Sequence, residues 1–274
     1  RSTLRGTAAT MDAMKLIPCS LAAVAMFACQ PAGATETKTM FYKSGDAELE
    51  GYLALPADLK EGEKRPGVLL IHDWTGLQDY AKRRTEQLAE LGYVAFAADV
   101  YGKGVRPKDP RECGVQAGIY RDDRTLFRQR LNAALAQLQA QPACDIDRIA
   151  AIGYCFGGTG VIELARSGAD IRGVVSFHGG LDSPNPADGA AVKCKILVCH
   201  GADDPFVPEE KIDAFLAEMK SADVDLQFIS YAGAVHSFTK PEAGDDPSKG
   251  AAYDKSADER SWAHMRLFFD EIFE

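Results

Sequence analysis

A chain of 274 residues, 46% apolar and 26% charged, has enough apolar content for one large core and the charge density of an ordinary soluble enzyme. Its net charge of −9 argues against nucleic acid and anionic membrane surfaces as partners. The charge does not identify a substrate.

The N-terminal segment has the order of a targeting peptide. Residues 1–10 precede Met11 and Met14 and read as upstream translated sequence. Lys15 supplies a positive charge, Leu16 to Cys29 a mostly apolar run, and Ala32-Gly33-Ala34 a small-x-small cleavage site. A signal peptide over about 14–34 is therefore expected, with a mature chain from Thr35 in the periplasm or outside the cell. The run is too short for a stable membrane span. A lipoprotein anchored through Cys29 fits less well, because Met26-Phe27-Ala28 is a poor small-residue run. A disordered tail on a cytosolic protein is the plainer alternative. Residues 35–274 are expected to form a single α/β domain.

Strands and helices alternate from there. Glu48 to Leu55 alternates as a strand, and Gly67 to Ile71 is a buried apolar run. Asp79 to Leu91 has helical spacing ended by Gly92, and Tyr93 to Asp99 reads as the next strand. A polar loop from Tyr101 to Cys113 leads to one long helix, Arg121 to Gln141, closed by Pro142. Arg148 to Ile152, Gly173 to Phe177, Lys195 to Val198 and Leu226 to Tyr231 read as strands. Helices are expected over Thr159 to Arg166, Glu209 to Ala222 and about Ala257 to Phe273. Continuous apolar strands alternating with helices predict a mostly parallel central sheet with helices on both faces.

Gly153-Tyr154-Cys155-Phe156-Gly157-Gly158 stands where the strand Arg148 to Ile152 meets its helix. A Gly-x-nucleophile-x-Gly pattern at that junction is the nucleophile elbow of the α/β-hydrolase fold, here with a cysteine in place of the usual serine. The turn leaves no room for side chains at the flanking positions, and the helix N-terminus behind it favours negative charge. In such folds an acid and then a histidine follow the nucleophile, each in a loop after a strand. His200-Gly201-Ala202-Asp203-Asp204-Pro205 follows the strand ending near Cys199, and Asp204 is chosen over Asp203 as the acid. His236 follows the strand ending at Tyr231. The other histidines, His72, His178, His200 and His264, are assigned to packing or capping. Cys113, Cys144, Cys194 and Cys199 are read as small buried or loop residues, although Cys113 and Cys144 could pair. No metal-ligand spacing occurs, and no Gly-x-Ser-x-Gly offers a serine nucleophile.

The elbow, the Asp204-Pro205-Phe206-Val207-Pro208 loop and His236-Ser237-Phe238 together resemble the dienelactone hydrolase family, over nearly the whole chain after residue 34. The resemblance implies an α/β-hydrolase fold and a Cys155–His236–Asp204 triad cleaving a carboxylic ester or lactone through an acyl-thioester. It implies no cofactor and no metal, with a small-molecule substrate and a monomer or small homo-oligomer. The backbone N–H groups of Phe156 and Trp74 would form the oxyanion hole. Asp73 takes a loop position where the family has an acid beside the thiol, usually glutamate; a turn residue is the equal alternative. The family's carboxylate-binding arginines fall at Lys103 and Lys240 here, with Arg106 as a further candidate. Lysine lacks the planar fork of arginine, so a substrate carboxylate would be held more loosely. A broad-specificity carboxylesterase or thioesterase is the near alternative. A non-hydrolytic thiol-based redox or binding protein is a distant one, since it would have no use for the acid and histidine.

Overall fold

The computed structural model of the chain describes residues 35–274, together with residues 2–3. The expected signal peptide lies outside the described residues. Eight strands form one sheet: β1 (Glu36–Ser44), β2 (Ala47–Leu55), β3 (Arg65–Ile71), β4 (Val94–Ala98), β5 (Cys144–Tyr154), β6 (Gly173–Phe177), β7 (Lys195–Gly201) and β8 (Leu226–Tyr231). Their order is β1-β2-β4-β3-β5-β6-β7-β8. The first two strands pair antiparallel with each other, β2 pairs antiparallel with β4, and every other neighbour is parallel.

Among the described residues six α-helices cover the sheet: α1 (Asp79–Glu90), α2 (Pro110–Asp122), α3 (Arg124–Gln139), α4 (Phe156–Arg166), α5 (Glu209–Ser221) and α6 (Lys255–Phe273). Side chains alternate across a strand, so β3 serves two cores at once. Val68 and Leu70 pack with Leu88 of α1 and Phe269 of α6. Leu69 and Ile71 pack on the opposite face with Phe127 and Leu131 of α3, Val161 of α4 and Phe215 of α5. The sheet is thus buried on both sides, which is why its central strands read as unbroken apolar runs. This is the α/β-hydrolase fold.

Two expectations need correction. The long helix foreseen from Arg121 to Gln141 is two helices, and the first begins inside the segment read as a loop. Asp109 caps α2 by accepting from the Glu112 N–H at 2.9 Å, with Pro110 at its first position. Asp123 then leaves helical geometry (φ −118°, ψ 86°) and caps α3 by accepting from the Leu126 N–H at 2.8 Å. An aspartate that bonds its own neighbouring backbone competes with helix continuation, and here it wins. The second correction is β1, a mostly exposed strand with too few buried side chains to leave a clear apolar pattern.

Beneath one rim of the sheet lies a buried ion cluster. Arg166 Nη1 reaches Glu163 Oε1 at 3.0 Å and its Nη2 reaches Glu218 Oε2 at 2.6 Å, with both guanidinium and Glu163 fully buried. The same guanidinium donates to the carbonyls of Leu181 and Asp182, at 3.1 and 3.2 Å. It therefore fastens the loop after β6 to α4 and α5. All five cysteines among the described residues are free, so Cys113 and Cys144 do not pair.

Candidate active site

The carboxyl ends of β3, β5, β6, β7 and β8 converge on one edge, the usual place for a ligand in an open parallel sheet. At the end of β5 the chain reverses into α4 through Cys155, whose φ of 54° and ψ of −113° lie far from ordinary strand or helix. Such a conformation in a non-glycine residue costs roughly 1–3 kcal/mol and survives only where neighbours enforce it. Those neighbours are backbone. A Cβ on Gly153 would collide with the Gly157 carbonyl, and one on Gly157 with the Ile71 carbonyl, so neither position accepts a side chain. The Cys155 carbonyl accepts from the Thr159 N–H at 3.2 Å, which starts α4 directly behind the thiol.

Two loops bring their side chains to this sulfur. His236 lies beyond β8, with Nε2 at 3.0 Å from Cys155 Sγ and Nδ1 at 2.7 Å from Asp204 Oδ2. Asp204 lies beyond β7; its other oxygen accepts the Phe206 N–H at 2.9 Å, so the carboxylate cannot swing. The histidine loop is pinned in turn, since the His236 N–H donates to Gly250 O at 3.2 Å and the Ala252 N–H to His236 O at 3.0 Å. Burial opposes a charge on the imidazole, but the Cys155 sulfur and the Asp204 carboxylate overturn that and push it up to about 10. The Nδ1 proton points to the carboxylate, leaving Nε2 to exchange a proton with sulfur.

A cavity of about 660 Å³ opens over Cys155 and His236. Trp74 and Phe206 give it aromatic walls, and the Phe206 ring stands edge-on to His236 at 5.3 Å. The Phe156 ring is buried, stacked on Phe127 at 4.7 Å and on His72 at 5.8 Å. Among the described residues neither the Phe156 N–H nor the Trp74 N–H is engaged by another backbone group. Both belong to segments bordering Cys155, one directly after it and one in the loop after β3.

The remaining candidates are placed differently from expectation. Asp73 is buried beside this region, yet its oxygens are committed. Oδ1 accepts from the Thr75 N–H at 2.8 Å and from its hydroxyl at 2.5 Å, while Oδ2 pairs with Lys240 Nζ at 2.5 Å. Asp73 forms no hydrogen bond with the thiol. Lys240 is held in that pair and lines a separate cleft. Lys103 is exposed, 3.4 Å from Glu48 and over the Phe41 ring, and Arg106 reaches Glu50 and the Gly102 and Val105 carbonyls. None of these three cations lines the cavity over Cys155. Its cations are Arg121 and Arg124, on either side of the α2–α3 break, and Lys211 in the first turn of α5. Sequence reasoning missed the two arginines because it ran one helix through the break. The Arg121-Asp122-Asp123-Arg124 charge cluster was the available signal.

The fold and this edge site define an α/β-hydrolase. The model of the dienelactone hydrolase family matches residues 49–273. The chain belongs to that family. It is 42% identical to the solved structure m3DLH, with a TM-score of 0.84 over 88% of this chain and 100% of that one. It is 40% identical to a dienelactone hydrolase-like promiscuous phosphotriesterase from metagenomic libraries, again with a TM-score of 0.84 and the same coverage, 88% and 100%. Among curated relatives, a probable 2-oxo-3-(5-oxofuran-2-ylidene)propanoate lactonase of Bradyrhizobium is 27% identical over 75% of this chain and 86% of the relative.

Proposed function

We propose that this protein hydrolyses carboxylic esters or lactones through a Cys155–His236–Asp204 triad and an acyl-thioester. The observation that carries this reading is the pair of hydrogen bonds that His236 makes, Nδ1–H to Asp204 Oδ2 at 2.7 Å and between Nε2 and Cys155 Sγ at 3.0 Å. A nucleophile within reach of a base, itself oriented by a third group, is the arrangement acyl transfer needs. Family membership and the lactonase relative support the substrate class.

In the first step the sulfur, its proton already held on His236 Nε2, attacks the carbonyl carbon. The carbonyl oxygen becomes an oxyanion and accepts from the Phe156 and Trp74 N–H groups. Collapse breaks the carbon–oxygen bond, and His236 protonates the departing alcohol or, in a lactone, the ring oxygen. Water then enters, loses a proton to His236, and attacks the thioester carbon. The second tetrahedral species expels sulfur beside the protonated His236, which restores the starting pair, and the acid is released. Asp204 keeps the Nδ1 proton in place throughout.

The aromatic walls favour a broad range of small esters, and the lining cations Arg121, Arg124 and Lys211 give a carboxylate-bearing ester a partner without making one a strict demand. Activated aryl esters and a lactone panel, assayed with wild type, Cys155→Ser and Cys155→Ala, test the mechanism. Alanine is expected to abolish turnover, a loss of about 10⁴-fold or more. Ester turnover surviving in that variant would overturn the reading. Export through residues 14–34, with 35–274 as a single catalytic domain, belongs to the same proposal. Mass spectrometry of the chain recovered from the periplasm or medium, reading its first residue, tests it.

A further inference from the structure

One buried histidine beside the thiol has no task in the steps above. His178 follows β6 with a positive φ of 40° and is 2% exposed. Its Nδ1 lies 3.1 Å from the Cys155 backbone nitrogen, and its Nε2 lies 2.7 Å from Thr239 Oγ1. A backbone N–H can only donate, so Nδ1 is an acceptor and the ring proton sits on Nε2. That proton goes to Thr239 Oγ1. The Thr239 hydroxyl then donates to the Tyr80 hydroxyl at 2.7 Å, and Tyr80 donates back to the Thr239 carbonyl at 3.3 Å. The same carbonyl accepts from Arg84 Nη2 at 2.8 Å. The run connects the nucleophile's own backbone, through His178 and Thr239, to Tyr80 and Arg84 of α1.

The run ties two parts of the site together. Thr239 is three residues past His236, and the His178 ring stands edge-on to the His236 ring at 5.2 Å. The Cys155 N–H is shared between the Phe177 carbonyl at 3.0 Å and His178 Nδ1. The carbonyl continues the sheet ladder; the imidazole provides a second acceptor where the backbone turns out of it. We infer that His178 is a positioning residue, a neutral acceptor that holds Cys155 in its left-handed turn and fixes the histidine loop to the same anchor. Burial and the neighbouring His236 charge push the His178 imidazole well below its ordinary range, which keeps Nδ1 free to accept. Packing alone would be served equally well by phenylalanine, which fills the ring's place without an acceptor.

This inference rests on the ester-hydrolase reading, and its test is read in two ways. Wild type, His178→Phe and His178→Asn are compared in the full chain, with Tm and circular dichroism recorded for each. Asparagine carries an oxygen near the place of Nδ1; phenylalanine carries none. His178→Phe is expected to lower kcat about 10- to 100-fold with KM within about twofold, as for a nucleophile displaced by a fraction of an ångström. His178→Asn is expected to recover most of that loss. A folded His178→Phe protein with wild-type kcat would overturn the inference, and so would an asparagine variant as slow as phenylalanine. Should wild type itself turn over no ester, the hydrolase reading fails, and the pH profile of Cys155 alkylation by iodoacetamide takes over as the readout. Positioning then requires that profile to move in His178→Phe and return in His178→Asn; unmoved profiles would sink it.

Discussion

At His236 the two neighbours that make a base also decide its charge. An imidazole raised from 6.5 to about 10 favours the protonated form in the folded chain. Its contribution to stability is therefore complete below pH 6.5 and is lost as pH rises through about 10. Removing the sulfur in Cys155→Ala leaves burial opposed only by Asp204, so the imidazole is expected to titrate at distinctly lower pH. Nitrogen NMR of the histidine ring across pH 6 to 11 measures this; an unchanged titration in the alanine variant would detach the sulfur from the imidazole's charge. The residues of this pair were legible because the elbow glycines, the strand before them and the loops after β7 and β8 each leave a local trace. Asp73 was legible as an acid in the correct loop, with a turn residue as the equal alternative. Its commitment to Thr75 and Lys240 depends on a residue 167 positions away, which no local pattern encodes.

Helix boundaries explain most of what the sequence reading misplaced. Helical periodicity runs smoothly through Asp122 and Asp123, while the break depends on a side chain choosing its own backbone over the next turn. That choice turns Arg121 and Arg124 towards the cavity, with Lys211 of α5 beside the same opening. Esters bearing a carboxylate are therefore expected to meet Arg121 and Lys211, not Lys103. Replacing both by glutamine should lower kcat/KM for a carboxylate-bearing ester roughly three- to tenfold, a modest loss suited to exposed charges. The matched neutral ester should be unaffected, and Lys103→Gln should change neither. A steady-state comparison of the two esters checks this, and equal losses on both would remove the charges from recognition.

Over the whole molecule, the parallel sheet and its two-sided burial were readable from alternating apolar runs, and the order of the site residues along the chain followed from that topology. The ion cluster around Arg166 was not, because its members come from α4, α5 and the loop after β6, and charged residues normally read as surface. It costs desolvation to bury, and it returns a fixed rim to a cavity that loops would otherwise leave loose.

The five unpaired sulfurs among the described residues give the folded domain a single chemical address. Burial pushes the Cys144 thiol up to about 11 and those of Cys194 and Cys199 up to about 12, and Cys113 is raised by the same cause. Cys155 alone among them opens into the large cavity next to an imidazole. In protein beginning at Thr35, a maleimide reagent at neutral pH is expected to mark one of these five sulfurs in the native state and the other four only after denaturation, as counted by intact mass. The stoichiometry of labelling then doubles as a census of competent molecules, requiring no knowledge of what they digest.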